Sequence, residues 1–284
     1  MAIIVNPFTA LGVPDWIWDT FALLLTILFT VILIRIIRML RKREIVPDYM
    51  TSKLFMMFFA PVFVICWLLF SGGFYSRYMV AALPGLFLFV YILVATDSIK
   101  GEEFKQTISP DGTSRGLMKA PLFYTLLMGF AALYLWYVPL DSIAAPIYSL
   151  FIPTALLIFG PLAGGSNFSN LIHNRYGKHK FKVFTEKSIE GSLAMYFCSL
   201  IFTFGLLGIY WLLLGQVFNS FNIITLVVPV FIVSGISTVV ELLSPQNYEI
   251  IWIPVVAFFT IFIIHLIGFY PFFVVFPFRI PFVP

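Results

Sequence analysis

Residues 16–39 read WIWDTFALLLTILFTVILIRIIRM, and between Asp19 and Arg35 there is no charged side chain. A helix over these residues rises 1.5 Å per residue and is ~36 Å long, enough to cross a hydrocarbon layer roughly 30 Å thick. Trp16 and Trp18 stand at one end, where amphipathic rings favour a membrane–water boundary, and Arg35, Arg38, Arg41, Lys42 and Arg43 crowd the other. Seven further runs of this kind lie near 53–71, 78–97, 119–137, 142–163, 193–215, 220–243 and 250–272. The fifth is interrupted by Pro146 and Pro153 and the seventh contains Pro229 and Gly235, breaks that neighbouring helices can tolerate inside a membrane. The expected fold is an all-α polytopic membrane protein of about eight transmembrane helices, a single domain over 1–284.

Composition supports this reading. The 284 residues are 61% hydrophobic and 11% charged, against about 25% charged in soluble domains. No aqueous globule covers that much apolar surface. A net charge of +4 gives no case for nucleic acid. Cys66 and Cys198 lie in apolar runs and read as free thiols, and His173, His179 and His265 show no spacing that would build a zinc or copper cluster.

Cations give the sidedness. Arg35, Arg38, Arg41, Lys42, Arg43, Lys53, Lys100, Lys105, Arg115, Lys119, Arg175, Lys178, Lys180, Lys182 and Lys187 fall on one side of the eight-span arrangement, and Arg77 and Arg279 on the other. The positive-inside rule then puts the odd-numbered loops, about 36–52, 98–118 and 164–192, in the cytoplasm and both termini outside. Met1 to Pro14 has no basic residue ahead of the first apolar run, so that span is expected to persist in the mature protein. The sequon Asn167-Phe168-Ser169 would lie in a cytoplasmic loop, and the Pro- and Phe-rich tail 271–284 at the outer interface.

Chemistry concentrates in 164–192. Gly164-Gly165-Ser166-Asn167-Phe168-Ser169-Asn170 leads to Arg175, Lys178, Lys180 and Lys182, and then to Lys187-Ser188-Ile189-Glu190. Glycines permit close backbone approach, a helix start attracts anions, and the cations supply a field for a polyphosphate; equally, such cations enforce topology and touch headgroups. Glu241 ends a long apolar run, either as a functional carboxylate or as a helix-end group paired with a loop cation. Glu190 offers the same chemistry or a favourable charge in the first turn of a helix, and Ser188 a helix cap. Asp97, Glu102, Glu103, Asp111, Glu44, Asp48, Glu186 and Glu249 read as solvated loop charges. Asp15 and Asp19, beside Trp16 and Trp18, read as an outer interfacial anchor.

Gly177-Lys178-His179-Lys180 with Lys187-Ser188-Ile189-Glu190-Gly191-Ser192-Leu193-Ala194 resembles the cytoplasmic loop and following helix of the polyprenol kinase family. That family contains phytol and dolichol kinases and is distantly similar to the CTP:phosphatidate cytidylyltransferases. Ser114-Arg115 with Lys119-Ala120-Pro121-Leu122-Phe123-Tyr124, and Thr238-Val239-Val240-Glu241 with Pro254 downstream, resemble two further family segments, so the likeness runs from about residue 50 to 255. It implies phosphoryl transfer from a nucleoside triphosphate such as CTP to a lipid alcohol in the membrane, with Mg²⁺ as cofactor. Arg175, Lys178, Lys180, Lys187 and Ser188 would then bind the nucleotide phosphates, Arg115 and Lys119 would belong to a substrate loop, and Glu190 and Glu241 would hold metal or move a proton. Ser166 and Asn170 stand where the family carries acids, and Met56 where many members carry His. The alternative is a non-catalytic relative that binds membrane lipids or packs with other membrane subunits.

Overall fold

The computed structural model describes residues 13–71, 75–96, 98–99, 101–135, 154–182, 186–214, 223–245 and 248–268. The part of the expected fifth span at 142–153, the start of the seventh, Asp97, Lys100, Arg279 and the tail 271–284 lie outside the described residues. In chain order the elements are α1 (Asp15–Lys42), α2 (Asp48–Cys66) with a 3₁₀ turn (Trp67–Leu69), α3 (Ser76–Ala95), α4 (Glu102–Ile108), α5 (Ser114–Leu117) and α6 (Ala120–Tyr134). They continue with α7 (Thr154–Phe159), a π-helical turn (Gly160–Ser166), α8 (Asn167–Tyr176), β1 (Lys180–Lys182), β2 (Glu186–Ser188), α9 (Ile189–Leu214), α10 (Ile223–Leu243) and α11 (Glu249–Leu266). Eight stretches are long and apolar enough to cross a membrane, with α5–α6 counting as one and α7 to α8 as another. The fold is an all-α membrane bundle, to which the structure adds one short β-hairpin.

Three loop expectations need correction. The stretch 164–192 is helical as far as Tyr176, so the fifth crossing runs over Thr154–Tyr176 and the water-facing segment shrinks to the hairpin and its flanks. The connection 36–52 is short, because α1 carries its cations along the helix to Lys42 and α2 begins at Asp48, right after Pro47. Segment 98–118 is folded into α4 and α5, joined by a turn in which Ser109 Oγ and Thr113 Oγ1 each donate to Asp111 Oδ1 at 2.7 Å. Burial acts to raise the pKa of Asp111, but the bonds from Thr113 and Ser109 outweigh it and hold the carboxyl below its ordinary range.

The fifth crossing is the centre of the bundle: 78% of it is buried, against 22% of α1. It packs against α2, α9, α10 and α11. Its closest neighbour is α9, and glycine explains the closeness. A Cβ on Gly160 would lie 1.9 Å from Thr203 Oγ1, one on Gly164 2.3 Å from the Phe202 ring, and one on Gly165 2.1 Å from Ser199 Oγ. Small residues let backbones approach inside a membrane, where apolar surfaces gain little by leaving lipid. Pro161 has no N–H to give to the preceding turn, and the helix here widens to the π form; one turn on, Asn167 Nδ2 donates to the carbonyls of Leu162 and Ala163 at 3.3 and 2.9 Å. Here the glycines thus make a helix contact rather than a phosphate cradle. The sequon residues Asn167 and Ser169 are buried within this helix, not displayed on a loop.

A second packing unit fixes α2. Phe55, Phe59, Phe63 and Trp67 repeat every four residues along one face, with successive ring centroids 4.8, 6.5 and 5.6 Å apart, and Phe87 of α3 packs on Phe59 at 4.9 Å. Tyr124 OH donates to Met56 O at 2.5 Å and Tyr210 OH to Val64 O at 2.6 Å, tying α6 and α9 to the same helix.

At the end of the bundle opposite the cation clusters, Asp19 is a buried structural carboxylate rather than an interfacial anchor, 3% exposed. It accepts from Ser71 N at 2.7 Å, Ser71 Oγ at 3.1 Å and Ser76 Oγ at 2.5 Å, which seats the start of α3 against α1. Trp18 Nε1 donates to Leu69 O at 2.8 Å beside it. Asp19→Ala leaves these donors facing apolar surroundings, and a loss of about 2–5 kcal/mol is expected in reversible unfolding from detergent. Unchanged stability would show that water reaches the network.

Candidate functional site

The site is assembled by the parity of the hairpin. β1 and β2 pair antiparallel with Lys180 opposite Ser188, Phe181 opposite Lys187 and Lys182 opposite Glu186. Successive side chains of a strand point to opposite faces, so Glu186 turns outward while Lys187 turns into the bundle. Glu186 pairs with Lys180 Nζ at 2.9 Å in solvent, and that bond holds its carboxyl below the ordinary range. Lys187 reaches Glu241 of α10 in an ion pair whose side chains are 8% and 0% exposed.

Around this pair the neighbours are polar. Ser169 Oγ of α8 donates to Glu241 Oε1 at 3.2 Å. One residue on, Asn170 Nδ2 bonds Ser166 O at 2.9 Å and Glu249 Oε1 at 3.4 Å. Glu249, in the first turn of α11, is 5% exposed and not the solvated loop charge expected of it. Lys53 of α2 is near enough to feel the charges of Glu249, Glu241 and Lys187. Four elements thus bring two carboxylates and two ammonium groups together at the cation-rich end. Oε2 of Glu241 and Oε2 of Glu249 are buried and have no hydrogen-bond partner among the described residues. Such an atom carries a desolvation cost of about 1–3 kcal/mol or more for a charged group, and that cost falls when a ligand meets it.

Ser188 caps the helix that follows: its Oγ accepts from Gly191 N at 3.1 Å. A Cβ on Gly191 would stand 3.1 Å from Ser169 O, and one on Gly177 2.8 Å from Ser188 Oγ, so both glycines let the hairpin and α9 press onto α8. Glu190 does not join Glu241. It bonds His179 Nδ1 at 2.7 Å and accepts from His179 N at 3.2 Å, closing the hairpin base from its outer side. Arg175, with its guanidinium 5.6 Å from the Tyr176 ring centroid, and Lys178 and Lys180 are exposed on the end of α8 and the hairpin. Arg115 and Lys119 lie on α5 and just ahead of α6, exposed and outside the buried cluster.

Comparison with known proteins gives a consistent set of relatives. The chain is 28% identical over 163 residues to a probable phytol kinase 2, chloroplastic, of Oryza sativa subsp. japonica, covering 57% of this chain and 49% of the relative. It is 25% identical over 202 residues to phytol kinase 1, chloroplastic, of Arabidopsis thaliana, 71% of this chain and 61% of the relative. It is 28% identical over 154 residues to farnesol kinase, chloroplastic, of the same plant, 54% and 46%. The chain is similar to phytol and farnesol kinases. It spans about half the length of the curated relatives it matches. No family model matches it. No solved structure matches it significantly.

Against the polyprenol kinase pattern, the two missing acids now have a structural context. Ser166 is buried in the π turn and its carbonyl holds Asn170; the Asn170 amide bridges α8 to Glu249. Among the described residues no group of three His, Cys, Asp or Glu side chains could hold a metal ion. What the cluster does supply is two hard anionic oxygens, the free Oε2 atoms of Glu241 and Glu249. This donor chemistry fits Mg²⁺, which takes one or two protein carboxylates and leaves its other positions to water and phosphate oxygens.

Proposed function

We propose that the chain transfers a phosphoryl group from a nucleoside triphosphate, CTP in the first instance, to the hydroxyl of an isoprenoid alcohol held in the bilayer. The observation that carries the reading is the buried Lys187–Glu241 pair with Glu249 beside it, at the cation-rich end of a membrane bundle related to phytol and farnesol kinases. Phosphoryl transfer asks mostly for positioning and charge neutralisation. Arg175, Lys178 and Lys180 give the approach a positive field, and Lys187 offers an ammonium group to the non-bridging phosphoryl oxygens. One of the Glu241 and Glu249 carboxylates would hold Mg²⁺, which supplies neutralisation of the triphosphate charge when bound. The acceptor oxygen forms the new O–P bond as the bond to the nucleoside diphosphate breaks, and the alcohol proton leaves to whichever of the two carboxylates is not engaged by metal.

The test is the purified full chain in detergent, given CTP or ATP with Mg²⁺ and a panel of phytol, farnesol and geranylgeraniol, with the isoprenyl phosphate measured directly. No product from any pairing overturns the reading. The geometry also separates the two acids. Glu190→Gln is expected to leave turnover close to that of the parent, since Glu190 serves the hairpin. Glu241→Gln is expected to lose on the order of 10²–10⁴-fold. Equal losses in both variants would refute the assignment of Glu241.

A second reading is favoured by one observation, the use of Asn170 and Ser166 in bonds that hold α8 rather than in acid chemistry. A chain so built would be a non-catalytic relative that binds lipid or packs as a subunit of a larger membrane assembly. Its mark is the absence of isoprenyl phosphate together with stable co-purification of other membrane proteins.

A further inference from the structure

Away from the Lys187–Glu241 cluster, α1 and α3 enclose a groove of about 300 Å³ whose cation-rich end is closed by Phe104 of α4. Its deep wall is apolar, with Ile27 on α1 and Leu83 and Phe87 on α3; its shallow end carries Arg35 and Arg38. We propose that this groove is a binding site for one membrane phospholipid of net negative charge, with one of its chains between α1 and α3 and its phosphate against the two arginines. The proposal stands independently of the kinase reading.

Length comes first. From Ile27 to Arg38 is eleven helical residues, ~16 Å of rise, about half of a roughly 30 Å hydrocarbon core. The groove therefore runs from headgroup depth to near the midplane, the reach of a chain from one leaflet. Charge comes second. Arg38 is held through one arm, NH1 to Glu103 Oε2 at 2.7 Å, while its buried Nε has no partner among the described residues. Arg35 makes no ion pair among the described residues and is exposed. Two guanidinium groups against one carboxylate leave a positive balance, and guanidinium matches the planar pairs of oxygens on a phosphate.

The placement of α4 is a third support. Lys42 Nζ bonds Glu103 at 3.2 Å and Arg41 NH1 bonds Gln106 Oε1 at 2.9 Å, so α4 is strapped across the base of α1. That strap gives the groove a floor at headgroup depth, which a bare helix pair would lack. A phosphoryl acceptor is a poor fit here, because α2 stands between: it packs on α1 to one side and on the π turn and α8 to the other. A hydroxyl in this groove has no short route to Glu241.

The experiment is native mass spectrometry and thermal shift on the detergent-solubilised full chain, titrated with phosphatidylglycerol, phosphatidylcholine, farnesyl phosphate or inorganic phosphate. Phosphatidylglycerol is expected to be retained and to raise the unfolding temperature, phosphatidylcholine to do so weakly, and inorganic phosphate not at all. Arg35→Gln with Arg38→Gln should weaken the anionic lipid by on the order of thirtyfold, at ~1 kcal/mol for each charge. Leu86→Trp tests the groove itself: Leu86 lines it, is 47% exposed and can be enlarged without disturbing the core, and the bulkier ring should displace the chain. Undiminished phosphatidylglycerol binding in both variants overturns the site. Inorganic phosphate acting as well as the lipid overturns the chain-binding half, and farnesyl phosphate binding more tightly than phosphatidylglycerol overturns the choice of a phospholipid.

Discussion

Lys187→Met is expected to lower stability by about 3–5 kcal/mol, the range for stripping one partner from a buried ion pair, because it leaves the Glu241 carboxylate at 0% exposure with the Ser169 hydroxyl as its one remaining hydrogen-bond donor among the described residues. The double variant Lys187→Met with Glu241→Leu removes both charges and fills the space with apolar atoms. It should recover most of that loss, since the pair repays little more than its own desolvation. Reversible unfolding in mixed detergent measures all three proteins, and Glu241→Leu alone completes the cycle. The coupling should be favourable to the pair by several kcal/mol relative to the single variants, as expected for charges in direct contact. Near-additive losses would mean that the two groups do not meet in the folded protein.

The same cycle separates structure from chemistry. If the pair only holds the hairpin to α10, the refolded double variant should keep whatever phosphoryl transfer the parent has. If the carboxylate and the ammonium act on phosphates, stability returns and transfer does not. The second outcome is expected, because an apolar pair held mainly to fix α10 would fit the site better than a charged one. Retaining a buried charge pair that contributes little net stability is understandable where its members are needed for a ligand.

Much of this arrangement is legible in the sequence, and the exceptions have physical causes. Helix length against bilayer thickness is a strong constraint, so α1, α3 and α9 to α11 follow from long, largely apolar runs even where a proline falls inside them. The stretch Gly164 to Asn170 misleads because loop-forming residue types are used here inside a helix. Asn167 and Asn170 satisfy the backbone of the turn before them, and the glycines meet α9, so polar composition coexists with burial. Glu241 could be read as paired with a loop cation, but only the hairpin register selects Lys187 over its neighbours. Glu249 is missed for a different reason: it follows Pro245 in a short polar connection and is buried only because α11 begins beside Asn170, a contact 79 residues distant in sequence. The signal available was its place at the head of an apolar run, the same position that drew attention to Glu190.

Gly165→Ala is expected to destabilise the bundle by about 1–3 kcal/mol, the usual cost of overpacking a tight core, and to abolish any ligand binding at Glu241 and Glu249. The added Cβ would lie 2.1 Å from Ser199 Oγ, 2.6 Å from Met195 Sδ and 2.9 Å from Met195 O. The last of these is backbone and cannot rotate away, so the helices must part. Because the π turn leads straight into α8, parting it from α9 also moves Ser169 and Asn170 away from the two carboxylates. Gly164→Ala makes an instructive contrast, since its three nearest atoms, at 2.3 to 2.7 Å, all belong to the Phe202 side chain. Phe202→Ala should therefore rescue Gly164→Ala in large part, whereas Ser199→Ala should rescue Gly165→Ala little. Thermal unfolding of the four single variants and two double variants decides the matter. Equal rescue at both positions would mean that side chains alone set the spacing of these helices, and that the glycines are there for some reason other than backbone approach.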